Sequence, residues 1–230
     1  MSEIDWFRFE NKDRDFPFYN KNPYIPKWGW IILFFAFIIG GILVMSNKVE
    51  ISILSCIVFI IPVLYFLKWD YKAIFQKPSL RDIGLAVALF IGYIIYSIIL
   101  STALEPFGIV SSGLIEKESV TVITVISSIF SLMGEEFLKF LPFMFFLRLS
   151  YKFSNKRKLS VAISVGLVMI MFASLHAYNP IMFVYALFIQ GLGSIFEFYG
   201  YIKTKNIMVS YITHLCTDLF IFSFVLFGLI

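Results

Sequence analysis

Seven long apolar stretches divide this chain, and each is long enough to cross about 30 Å of hydrocarbon as a helix rising about 1.5 Å per residue. They run from Trp28 to Met45, Ile51 to Leu67, Ile83 to Leu104, Ser119 to Leu147, Leu159 to Tyr178, Ile181 to Ile202 and Asn206 to Ile230. The runs are continuous rather than alternating, so helices are expected and a β-barrel is not. Composition agrees: 60% of the residues are hydrophobic and 15% charged, against about 45–50% and about 25% in soluble domains. A soluble enzyme, a disordered tail and a disulfide scaffold are excluded. The two cysteines, Cys56 and Cys216, both sit in apolar runs and offer neither a disulfide framework nor a zinc-type cluster. The net charge of +4 is modest, with no basic stretch interleaved with aromatics on a polar face, so no nucleic-acid partner is expected.

The basic residues orient the bundle. One side carries Arg8, Lys12, Arg14, Lys21 and Lys27, then Lys68, Lys72, Lys77 and Arg81. The same side has Arg148, Lys152, Lys156, Arg157 and Lys158, then Lys203 and Lys205, while Lys48 and Lys117 alone fall on the other. The expected fold is therefore an all-α polytopic membrane bundle of about seven transmembrane helices. Its N-terminus is cytoplasmic and its C-terminus outside, in the cell membrane. Three regions are expected: an interfacial segment 1–27, the first three membrane helices and their loops in 28–118, and a four-helix region 119–230 that carries the chemistry. Residues 1–27 hold five acids and five bases. Their aromatics (Trp6, Phe7, Phe9, Phe16, Phe18, Tyr19, Tyr24) suggest a stretch lying at headgroup level rather than a removable signal peptide. Gly84, Ala88 and Gly92, and separately Ser127 and Ser131, form small-residue stripes that let helices approach closely. Gly191-x-Gly193 lies inside an apolar helix with no preceding strand, so it is packing and not a dinucleotide loop.

Five ionisable residues stand inside the spans, Glu135, Glu136, Lys139, Glu197 and Asp218, joined by His176 and His214, the chain's two histidines. An Asp or Lys at a helix centre costs about 2.5–3.5 kcal/mol to insert, which packing alone does not require. A lone intramembrane His or an isolated Glu–Lys pair is often a helix contact. Several such groups from three helices in one slab near the bilayer centre point instead to a site. His214 and Asp218 share a helix face, as do Phe172 and His176, and Glu135 and Lys139. Glu197, two turns from Lys203 and Lys205, reads as a boundary residue that snorkels to them. Paired carboxylates with two imidazoles suit one reaction well. A glutamate takes a proton from water, one imidazole positions that water, and the other donates to a carbonyl oxyanion. There is no Gly-x-Ser-x-Gly and no His-Glu-x-x-His.

Glu135-Glu136, Phe172-x-x-x-His176 and His214-x-x-x-Asp218 in order resemble the CPBP intramembrane protease family, the CAAX prenyl protease and bacteriocin-processing (Abi) group. Its pattern is Glu-Glu-x-x-x-Arg, Phe-x-x-x-His and His-x-x-x-Asn/Asp, and the resemblance covers about residues 119–225. It implies that Glu135 and Glu136 supply the water-activating carboxylate with help from His176. It also implies that His214 and Asp218 bind the oxyanion or, in an older view, a metal. Phe140 stands where the family has its Arg, and Lys139 makes a Glu-Glu-x-x-Lys form similar to PrsW-type proteases. Which glutamate is the base therefore stays open.

The expected function is an intramembrane endopeptidase acting on a membrane-associated peptide or protein, in bacteriocin immunity or peptide maturation. The expected catalytic residues are Glu135, Glu136, His176, His214 and Asp218. No cofactor is demanded, but two Glu, two His and an Asp also make a zinc or iron ligand set, so a metal-dependent hydrolysis is the first alternative. A proton-coupled transporter using midplane carboxylates and a non-catalytic immunity or scaffold protein are the others. Nothing in the chain sets an oligomeric state.

Overall fold

The apolar stretches fold as helices, and no strand occurs among the described residues of the computed structural model, which are 9–20, 23–46, 48–110 and 120–227. Trp6, Phe7, Arg8, Lys21, Lys117 and Ser119 lie outside them. Helices α1 (Lys27–Val44), α2 (Val49–Phe66) and α3 (Leu80–Leu104) precede α4 (Val122–Ser154) and α5 (Arg157–Leu175). The chain continues through α6 (Pro180–Ala186), α7 (Ile195–Thr204) and α8 (Ile207–Leu226). Among the described residues, six segments are long and apolar enough to cross a membrane, with α6 and α7 counted as one. Helix α4 is not among them, although its 33 residues are long enough; they carry Glu135, Glu136 and Lys139.

Helix α4 packs against α1, α2, α5 and α8, while α3 packs on α8 and α7. Polar contacts pin these interfaces where hydrophobicity cannot, because lipid tails are as apolar as the helices. Ser52 and Ser127 hydroxyls meet at 2.8 Å between α2 and α4, and the Tyr211 hydroxyl donates to the Ile129 carbonyl at 2.8 Å between α8 and α4. The Tyr96 hydroxyl donates to the Phe188 carbonyl at 2.6 Å. Each such bond contributes about 0.6 kcal/mol on average and at most about 1.7.

Two expectations are corrected. The run from Ile181 to Ile202 is not one helix: a π-turn at Leu187–Gly191 and a break at Ser194 separate α6 from α7. Gly191 makes that turn possible, since a Cβ there would lie 2.8 Å from the Met169 carbonyl oxygen on α5. The close approach of the π-turn to α5 depends on it. The small-residue stripe on α3 is used only in part, because Gly92 abuts the Phe196 ring whereas Gly84 faces open space.

The N-terminal segment, expected at headgroup level, makes extensive contacts with the bundle. Residues 9–20 form a strap across one end of the bundle, with Phe16 and Phe18 fully buried. Phe16 packs edge-on to Phe143 and beside Tyr201. Acidic residues fasten it: Glu10 accepts from Arg157 at 2.8 Å and from Lys205 at 2.7 Å, and Asp15 accepts from Arg157 at 2.6 Å. Burial raises the Glu10 carboxyl, but the Arg157 and Lys205 bonds outweigh it and hold the group below its ordinary value. Burial pushes the Lys205 ammonium down to about 8 in spite of Glu10. Phe9, Phe16, Phe18 and Tyr19 all make ring contacts with the helices, whereas Tyr24 is exposed.

Candidate active site

Helix α4 presents Glu136 and Lys139 one turn apart, and both are buried against α7 and α8. Helix α8 presents Ser210, His214 and Asp218 at four-residue spacing, on one face directed toward α4. Glu136 is saturated. Its Oε1 lies 2.6 Å from Lys139 Nζ and 2.9 Å from His214 Nδ1, and its Oε2 accepts from the Ser210 hydroxyl. Lys139 also donates to Glu197 of α7. Its ammonium stands 4.9 Å from the centre of the Phe172 ring.

The carboxylate of Glu136 only accepts, so the 2.9 Å contact assigns a proton to His214 Nδ1. Nε2 is thereby turned outward, 3.9 Å from both Glu135 Oε2 and Asp218 Oδ1. Those separations are too long for direct hydrogen bonds and of a size that one water or one carbonyl oxygen bridges. Glu135, about a quarter exposed in its side chain, lines a groove of about 360 Å³ together with His176. The groove's walls are apolar, from Phe37, Gly41 and Val44 of α1 to Leu138 and Phe172. His176 is the cap residue that ends α5, and its Nδ1 meets the Phe172 carbonyl at 2.9 Å. The Phe172–His176 spacing thus works as a local clamp on the imidazole, with ring centres 4.6 Å apart.

The two adjacent glutamates are therefore in different surroundings. Glu136 belongs to a buried network with Lys139, Glu197, Ser210 and His214, while Glu135 faces the groove with His176. Residues 117–220 match the family model described as Rce1-like, type II CAAX prenyl endopeptidase Rce1-like. Over that stretch the chain is similar to CAAX-type intramembrane proteases. The matched residues contain every ionisable group of this site, and the groove adds a wall from α1, outside the match. No curated protein and no solved structure matches the chain. That similarity, together with helices long and apolar enough to cross a membrane, supports a membrane-embedded protease of the CAAX type.

Glu197 does not snorkel to Lys203 and Lys205. It is buried and paired with Lys139, because Lys203, six residues on, points about 120° away around the helix. Lys203 instead meets the Tyr199 hydroxyl at 3.4 Å, and Lys205 is held by Glu10. Lys139, expected to share a face with Glu135, bonds Glu136 instead. Ser210 was not singled out from sequence, although its place four residues before His214 puts it on the same face.

Among the described residues, Glu136, Glu197 and His214 are the group whose donor atoms come close enough to hold one metal ion, all within 4.8 Å. They do not fit a divalent metal. Lys139 Nζ is bonded to both carboxylates and lies 3.3 Å from His214 Nδ1, so the space between the three donors already holds an ammonium. Zinc ligands would have to close to about 2.0–2.2 Å around a dication set against that charge.

Proposed function

We propose that the protein hydrolyses a peptide bond of a membrane-associated peptide or protein with Glu135 as the base, by direct attack of water. The observation that carries this is the asymmetry of the glutamate pair: Glu136 has every oxygen engaged, whereas Glu135 faces the groove beside His176. Glu135 takes a proton from a water that His176 helps to position, and the resulting hydroxide adds to the carbonyl carbon. His214, charged and anchored through Nδ1 to Glu136, donates from Nε2 to the oxyanion. Asp218, protonated, adds a second donor. Collapse of the tetrahedral adduct breaks the C–N bond, and Glu135 returns its proton to the leaving amine.

The apolar groove suits a substrate segment that arrives from the lipid phase. The side of the bundle that holds the strap faces the cytoplasm in this reading, supported by the concentration of Lys and Arg there. The setting is bacteriocin immunity or peptide maturation. Comparative peptidomics of membranes carrying wild-type protein or Glu135→Gln tests the reading and identifies the substrate. Peptides that accumulate uncleaved only in the variant are expected. If Glu135→Gln and His176→Ala both process as wild type does, hydrolysis by this base is wrong.

A further inference from the structure

Away from the catalytic groove, a second cleft of about 800 Å³ opens where the strap crosses the start of α5. Lys12 and Arg14 on the strap, and Lys156, Arg157 and Lys158 at the α4–α5 corner, put five cations around it. The two carboxylates in its wall, Glu10 and Asp15, are both spent on Arg157, and Glu10 on Lys205 as well. Lys12, Arg14 and Lys156 are exposed and have no carboxylate partner among the described residues. Positive charge is therefore in excess in this concave site, five cations against two carboxylates.

The level of the cleft identifies what could balance that excess. Arg157 is the first residue of a membrane-spanning helix, so the cleft lies at headgroup depth. Leu159, also in its wall, begins a stripe of exposed apolar residues (Leu159, Ile163, Leu167 and Ile170) that runs down α5 from the cleft. Helix α5 also starts without a side-chain cap or an acidic residue in its first turn, which leaves its amide dipoles directed the same way.

We propose that this cleft binds the phosphate of an anionic phospholipid, whose acyl chains lie along the Leu159–Ile170 stripe. A phosphate between Lys12 and Arg14 on one wall and Lys156 on the other fastens the strap to α5. The strap's Phe16 contacts Phe143 and Tyr201, which border a small void of about 20 Å³ that Glu136, Lys139 and Glu197 also border. The lipid thus steadies the floor beneath the buried ion network.

Native mass spectrometry of the detergent-purified full chain tests this, using phosphatidylglycerol and phosphatidylcholine with identical acyl chains. Wild type retains phosphatidylglycerol at least tenfold better than phosphatidylcholine. The triple variant Lys12→Gln, Arg14→Gln, Lys156→Gln loses at least tenfold of that retention, since each cation near an anionic surface contributes roughly fivefold. A charge-matched control, Lys68→Gln, Lys72→Gln, Lys77→Gln on the α2–α3 connection, keeps it. Because the three cleft residues make no ion pair, the lipid-free melting temperature of the triple variant stays that of wild type, and Lys156→Glu alone provides a second, milder probe. Equal retention of the two lipids, equal loss in the control, or displacement of phosphatidylglycerol by millimolar inorganic phosphate each overturns the proposal, the last by showing a free-anion site. The readout does not depend on the proteolytic reading.

Discussion

Replacing Lys139 by methionine isolates the electrostatics of the buried network. Methionine keeps most of the stem's volume and removes only the ammonium. The side chains involved are 4% (Lys139), 2% (Glu136) and 10% (Glu197) exposed, so solvent cannot replace the lost cation. Glu136 would keep Ser210 and His214, but Glu197 would keep only His214 Nδ1 at 4.0 Å. Removing one partner of a buried pair costs about 3–5 kcal/mol, because the other charge is stranded. That is a large fraction of a total stability of about 5–15 kcal/mol. The contact with the Phe172 ring adds about 0.5–2 kcal/mol to the loss. The informative variant is the double one: Lys139→Met with Glu197→Gln removes the stranded carboxylate and should recover about 2 kcal/mol relative to the single change. Cys56 and Cys216 are half-buried free thiols, so thiol-dye labelling during a thermal or denaturant ramp in detergent reads the unfolding directly. The reasoning fails if Lys139→Met costs under about 1 kcal/mol, or if the double variant is no more stable than the single one.

The glutamates should separate in assay: Glu135→Gln lowers hydrolysis by about 10²-fold or more at unchanged melting temperature, whereas Glu136→Gln lowers both. Chelator treatment of protein in proteoliposomes should leave hydrolysis intact, and adding zinc should not increase it, since Lys139 already stands among the donors. Gly191→Ala should cost about 1–3 kcal/mol by pressing a methyl on the Met169 carbonyl, while Gly84→Ala, in open space, should be neutral or slightly stabilising in the same melting assay. The strap should release in acid. The folded Glu10 carboxyl holds its proton less tightly than the unfolded one, so its contribution is full above the unfolded value and is lost as pH falls through the folded one. Pepsin cleavage around Phe16 and Phe18 should therefore be resisted near pH 5 and appear only below the ordinary carboxylate range.

The helices were legible in the sequence because the hydrocarbon thickness leaves few alternatives for a run of twenty apolar residues. The interruption of the run from Ile181 to Ile202 was not. Neither Gly191 nor Ser194 is a strong breaker, and the π-turn there is tied to how closely Gly191 must approach α5. The protein contacts of the N-terminal strap were not legible for a related reason. Its aromatics suit a lipid headgroup layer or a protein crevice equally, and the choice rests on Arg157 and Lys205, which are distant in sequence. Within the site, residues that share a helix were readable by spacing: His214 with Asp218, Phe172 with His176. The partnership of Lys139 with Glu197 spans two helices, so periodicity says nothing about it.

That partnership also bears on the difference from the CPBP pattern that the first motif resembles. The family pattern puts its cation four residues after the second glutamate, where this chain has Phe140. Phe140 is buried and packs edge-on to Phe137 and Tyr201, in the aromatic layer above the strap. Moving the cation one residue back, to Lys139, rotates it about 100° around α4, from Phe137 and Tyr201 toward Glu197. A lysine there donates as a point charge rather than as a planar fork, and one carboxylate does not saturate it. Glu197 supplies the second acceptor from the helix that Lys139 now faces. In physical terms the two residues act as a pair: Lys139 joins Glu197 to Glu136, and without it Glu197 would keep only His214 Nδ1, at 4.0 Å.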